Sequence, residues 1–80
     1  MFSVYPNPTK ESCTVTVKNY HEGDNISYNI TDVLGKKVGH KESIPSGIIN
    51  INTNQYRQGV YFITLKINSV ILIRKLVIVK

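Results

Sequence analysis

The chain has 80 residues, of which 41% are hydrophobic and 19% charged, and its formal net charge is +5. That suffices for one small globular domain spanning residues 1–80 and excludes a disordered chain. The only cysteine, Cys13, excludes an internal disulfide and a zinc site of the multi-cysteine kind.

Alanine and tryptophan are both absent, so the core has to come from Val, Ile, Leu and Tyr. A helical protein without its best helix former would be unusual, whereas β-branched and aromatic residues suit pleated strands. Hydrophobicity repeats mostly every second residue, the period of half-buried strands. Phe2 to Tyr5 reads as a first strand ended by Pro6. In CTVTVKN, Cys13, Val15 and Val17 point one way and Thr14, Thr16 and Lys18 the other. HEGDN is a turn. In ISYNITD, Ile26, Tyr28 and Ile30 share a face. VLGK is a turn in which Gly35 supplies a positive φ. KKVGHK reads as a short polar edge strand whose lysines discourage unwanted pairing. Pro45-Ser46-Gly47 turns the chain into IININ, with Ile49 and Ile51 on one face. TNQYRQG is a loop with Tyr56 as a buried plug. VYFITLKI puts Tyr61, Ile63, Leu65 and Ile67 on one side. Asn68-Ser69 is a two-residue hairpin without the usual glycine. VILIRKLVIV closes the series as the longest strand. Seven short strands predict an all-β, immunoglobulin-like sandwich, with a small closed barrel as the alternative.

Reactive groups are scattered. His21 and His40 fall in turn or edge positions and have no histidine at a metal-ligand spacing. Cys13 alternates with core valines and reads as a small buried residue, not a nucleophile. Glu11, Glu22, Asp24, Asp32 and Glu42 form no pair suited to acid–base work, and HEGDN has too few oxygen donors for a calcium loop. Asp32, beside VLGK, is of the type that holds a turn through backbone N–H groups. No phosphate loop, dinucleotide fingerprint or nucleophile elbow is present. No catalytic residue, metal or cofactor is expected, and the protein is not expected to be an enzyme. The basic residues are spread along the chain, with Lys36-Lys37 and Arg74-Lys75 the adjacent pairs. The tyrosines sit at core-type positions, so no nucleic-acid platform is expected. The positive charge favours acidic surfaces, including anionic lipid or lipopolysaccharide. Arg74 and Lys75 interrupt the one long apolar run, which is also shorter than the ~20 residues of a membrane helix. No transmembrane segment is expected. MFSVYPNP lacks the charged start and long apolar stretch of a signal peptide, so the chain is expected to be a piece of a longer secreted protein.

Four segments in order, VYPNPT, ISYNITDVLGKKV, GVYFITL and RKLVIVK, carry a resemblance that runs from Val4 to Lys80. The chain resembles the type A C-terminal sorting domain of type IX secretion cargo in Bacteroidetes. Pro6, Asn7 and Pro8 match the first motif of that family. Asp32, Gly35, Lys36 and Val38 match the second, Gly59, Val60 and Tyr61 the third, and Lys75 and Leu76 the last strand. The resemblance implies an immunoglobulin-like sandwich at the C-terminus of a larger secreted protein. It implies passage of an attached N-terminal cargo through the periplasm, export by the type IX translocon across the outer membrane, and residence at the cell surface or outside the cell. It also implies removal of the domain, in many cases, by a surface sortase of cysteine-peptidase type, at a site before or near Met1, with the cargo joined to anionic lipopolysaccharide or released. Gly35 and Gly59 are expected to allow tight turns at a recognition surface. That surface is expected to be one face combining Gly35, Lys36, Lys37 and Val38 with the terminal Lys75, Leu76, Val77, Ile78, Val79 and Lys80. Exposed edges offer strand addition to a partner or an edge-strand dimer. The rival reading is a fibronectin-like carbohydrate- or protein-binding module of a surface enzyme, which the lack of tryptophan disfavours.

Overall fold

Period-two alternation becomes seven strands in the computed structural model, which describes residues 2–80; Met1, before or near which the cleavage site is expected, lies outside the described residues. The strands are β1 (Phe2–Tyr5), β2 (Ser12–Val17), β3 (Ile26–Asp32), β4 (Lys37–Ile44), β5 (Ile48–Asn52), β6 (Gly59–Ile67) and β7 (Val70–Ile78). They form two antiparallel sheets, one ordered β1-β2-β5 and the other β4-β3-β6-β7. Two separate sheets with crossovers between them are a sandwich of immunoglobulin-like type, not a closed barrel.

The inward residues of both sheets make the core. Cys13, Val15 and Val17 of β2 face Ile26 and Ile30 of β3, Tyr61, Ile63 and Leu65 of β6, and Leu76 and Ile78 of β7; all are buried. Phe2, Ile44, Ile49 and Ile51 complete the cluster. Each strand contributes every second residue, which is why the alternation was readable.

Two strands differ from expectation. The polar edge strand is longer than KKVGHK, since β4 runs on to a buried Ile44. Two register shifts against β3 and a φ of 58° at Ser43 interrupt its period. β7 is not longer than β6, because each has nine residues. The β6–β7 turn takes its positive φ, 55°, from Asn68 in place of a glycine; asparagine tolerates that region better than most residues.

Pro6 and Pro8 lack the N–H groups that a continuing ladder needs. They end β1, but the segment then pairs again, with the other sheet. Thr9 makes a parallel bridge opposite Ile78. Its N–H donates to Val77 O at 2.9 Å, and Val79 N–H donates to Thr9 O at 2.9 Å. Just before it, the Asn7 side chain behaves like a peptide group, donating to Lys75 O at 2.8 Å and accepting from Val77 N–H at 2.9 Å. The lead-in thus leaves the β1 sheet, straps the outer edge of β7, and returns to the first sheet as β2.

Candidate functional site

The β3–β4 hairpin is built around Asp32. Its Oδ1 accepts from Leu34 N–H and Lys36 N–H, both at 2.9 Å. Its backbone closes the same turn, with Gly35 N–H donating to Asp32 O and Asp32 N–H to Lys36 O, each at 3.0 Å. Gly35 has φ 84°, the left-handed conformation such a turn needs. The locked turn holds two apolar side chains in water, Val33 at 66% and Leu34 at 89% exposure.

Beside the hairpin is a groove of about 540 Å³, lined by Asp32, Lys36, Lys37, Val38, Tyr56 and Arg57 among others. Tyr56 and Tyr61 stack at its base, with ring centroids 5.6 Å apart. Tyr61 Oη donates to Arg57 O at 2.7 Å, four residues upstream. That is the tyrosine corner of immunoglobulin-like sandwiches, and it explains the tyrosine of the Gly59-Val60-Tyr61 motif. Tyr56 is half-buried, and its hydroxyl lies where a Cβ on Gly39 would be. Burial pushes the phenols of Tyr56 and Tyr28 up. Both therefore stay neutral and act as packing groups, which fits the plug expected of Tyr56.

On β7 the side chains divide by parity. Leu76 and Ile78 have no exposure at all. They were expected to belong to a recognised surface, but in the folded domain a partner cannot reach them, so their part is structural. Lys75 is exposed, and Val77 and Val79 are half-buried. Lys80 is exposed, yet its Nζ is not free. It donates to three backbone carbonyls, Asn54 O at 3.0 Å, Lys10 O at 3.2 Å and Thr53 O at 3.4 Å. Its N–H also donates to Gln58 Oε1 at 3.2 Å. Lys80 therefore ties the β7 end to the loops that leave β5 and enter β2.

The β4 arm of the hairpin and the terminal strand lie at opposite edges of one sheet, with β3 and β6 between them. They are level, however: Lys37 pairs with Thr31, Thr31 with Phe62, and Phe62 with Lys75. Three strand spacings separate the two lysine positions, about 14 Å. Of the first motif, Pro6 and Pro8 are exposed and Asn7 is the residue that holds β7. Sequence reasoning missed Thr9, the Lys80 cage and the Tyr56–Gly39 contact. A side-chain amide standing in for a backbone group leaves no periodic trace, and the same holds for an ammonium among carbonyls.

No three His, Cys, Asp or Glu side chains come close enough to hold a metal among the described residues. Cys13 is buried and desolvation raises its pKa, which disfavours the reactive thiolate. Asp24 holds the β2–β3 turn, its Oδ2 accepting from His21 N–H at 3.0 Å and its Oδ1 from Asn68 Nδ2 at 3.2 Å. No helix of the described residues is long and apolar enough to cross a membrane.

Comparison with known proteins agrees with this arrangement. The secretion system C-terminal sorting domain pattern matches residues 3–79. An endo-acting ulvan lyase from Formosa agariphila is 36% identical over 62 residues, 78% of this chain. The aligned part is 11% of that lyase, so the chain spans about a tenth of this relative's length. A β-sandwich with its own core and a match over nearly its whole length leaves one assignment: the chain belongs to the family of C-terminal sorting domains of the type IX secretion system, signals that send proteins to the cell surface or the extracellular space.

Proposed function

We propose that this domain carries a larger protein, attached on its N-terminal side, from the periplasm through the type IX translocon across the outer membrane. Sec-dependent export brings the whole protein to the periplasm first. A surface sortase then removes the domain, as in many cases in the family, and the cargo is joined to anionic lipopolysaccharide or released. The observation that carries this reading is the family match over residues 3–79. The self-contained core supports it as well, since a label that folds on its own needs no contact with its cargo. The sandwich itself contributes recognition and not catalysis. The similarity to a short part of a much longer polysaccharide lyase suggests a secreted enzyme as cargo.

The translocon reads accessible groups. On the hairpin these are Gly35, Lys36, Lys37 and Val38 beside the exposed Leu34 tip; on the terminal strand they are Lys75, Val77 and Val79. Lysines on a domain of net charge +5 attract an acidic receptor surface, and a rigid apolar tip offers an anchor that loses little entropy on binding. The decisive experiment fuses residues 1–80 to a fluorescent protein that carries a Sec signal, in hosts with and without a working type IX system. Surface delivery in the competent host alone is the expected result. Equal delivery in both hosts, or in neither, would overturn the proposal.

A further inference from the structure

A sandwich has four edge strands, and here three are blunted. β1 has four residues and stops at Pro6. β5 has five, flanked by a turn in which Ser46 Oγ bonds Ile48 at both its N–H and its C=O. β4 carries two register shifts, Ser43 at φ 58°, and the lysines Lys37 and Lys41. Short strands, bulges and edge lysines are the usual devices against unwanted pairing.

β7 is treated differently along its length. Asn7 and Thr9 occupy the outward groups of Lys75 C=O, Val77 N–H, Val77 C=O and Val79 N–H. Alternation along the strand puts the N–H and C=O groups of Ile71 and Ile73 on that same outer edge. The strap does not reach them. The N–H groups of Ile71, Ile73 and Lys75 have no partner among the described residues, and Ile73 C=O accepts only from Arg74 Nη1, at 3.1 Å. Three apolar side chains flank this stretch in water, Val70 at 54%, Ile71 at 60% and Ile73 at 57% exposure. It is open backbone lined with three exposed β-branched residues, where the other edge strands together expose one large apolar side chain of that kind, Ile48 of β5 at 61%.

We propose that Val70–Lys75 is a docking edge that accepts one added β-strand from a partner, an extended segment alternating apolar and acidic side chains. The alternation follows from the site. On the solvent face, Ile71 pairs with Lys66 and Ile73 lies two residues from Lys75, so an incoming strand meets apolar side chains flanked by ammonium groups. A second copy of this chain would bring another +5 and place lysine near lysine, so a foreign acidic segment is the better occupant. The partner's main chain supplies the hydrogen bonds, and the lysines select its charge. In the cell this rests on the reading that a component of the secretion machinery recognises the folded domain.

The test uses the 80-residue domain, ¹⁵N-labelled, with a blocked heptapeptide alternating Glu and Val at millimolar concentration. A Lys/Val peptide and the Glu/Val peptide with a central proline are controls. Amide exchange at Ile71, Ile73 and Lys75 should slow at least tenfold with the Glu/Val peptide and not with either control. The double variant Ile71→Lys/Ile73→Lys should abolish the effect while its melting temperature stays at the parent value, because both side chains are largely solvent-exposed. Absence of protection at those amides, an equal response to the Lys/Val peptide, or concentration-dependent dimerisation through the same amides without peptide would overturn the proposal. Export of a reporter fused to the double variant separates the two readings. Peptide docking lost together with export supports both. Docking lost with export unchanged leaves the edge site standing and removes it from the translocon's contacts.

Discussion

Gly39 has no room for a side chain. A Cβ there would meet the Tyr56 hydroxyl first, then its ring and the Ile30 methyl. Gly39→Ala therefore has to push Tyr56 off its stack on Tyr61 and open the groove beside the hairpin. Overpacking of this kind costs about 1–3 kcal/mol. A urea midpoint lowered accordingly, with a changed near-ultraviolet tyrosine signal, is the expected outcome; an unchanged midpoint would mean that Tyr56 is not a packed plug. Asp24 makes a prediction about pH. Its carboxylate accepts from His21 N–H and from Asn68, and these bonds, the backbone one first, lower its pKa below the ordinary carboxylate value. A folded-state pKa below the unfolded one gives stability that is present above the unfolded value and lost as pH falls through the folded value. Stability should therefore weaken as the pH falls below the ordinary carboxylate range, and Asp24→Asn should flatten that part of the profile. A variant whose profile follows the parent's over that range would show that the turn does not depend on the charge.

The strap depends mainly on one side chain. Asn7→Ala removes both hydrogen bonds that hold Lys75 O and Val77 N–H, leaving Thr9 alone to cover the β7 edge. Both bonds are solvent-exposed, so the expected loss is about 1–2 kcal/mol in total. The local readout is sharper: exchange at the Val77 amide should speed up far more than at Ile63, which lies in the middle of β6. Equal acceleration at both amides would mean that the strap is only a connector. This element also shows what the sequence could and could not reveal. β2, β3, β5 and β6 were legible because a half-buried strand writes its face into every second residue, as Cys13-Val15-Val17 and Tyr61-Ile63-Leu65 do. β4 was legible only as far as Lys41, beyond which a register shift and the positive φ of Ser43 break the period. The role of Asp32 could be read because an aspartate that accepts from its own turn acts locally. Asn7 and Thr9 act on residues some seventy positions away, and no local pattern records such a partner. The hairpin motif and the last strand could be named as candidates, but the place of β4 and β7 at opposite edges of one sheet follows only from the strand order.

Considered as one body, the sandwich makes the last strand part of its fold before that strand can be part of a signal. Residues 75–80 contribute Leu76 and Ile78, both fully buried, the outward groups that Asn7 and Thr9 hold, and the Lys80 ammonium bonded to three carbonyls. Cutting one buried leucine or isoleucine to alanine typically costs about 2–5 kcal/mol. A small domain has a total stability near the lower end of the ~5–15 kcal/mol range. Loss of both side chains, together with the strap's partners, exceeds that margin. Deleting residues 75–80 should therefore abolish the cooperative unfolding transition and give a spectrum of exchange-averaged, poorly dispersed amides. An export defect in such a deletion reports unfolding and says nothing about which groups a receptor touches. Single changes at exposed positions separate the two causes. Lys75→Glu should keep stability within about 0.5 kcal/mol of the parent, as surface changes usually do, and any loss of export it causes then reports reading of the surface. A deletion that still unfolded cooperatively near the parent's midpoint would refute this division of labour and return the terminal residues to the role of a detachable tag.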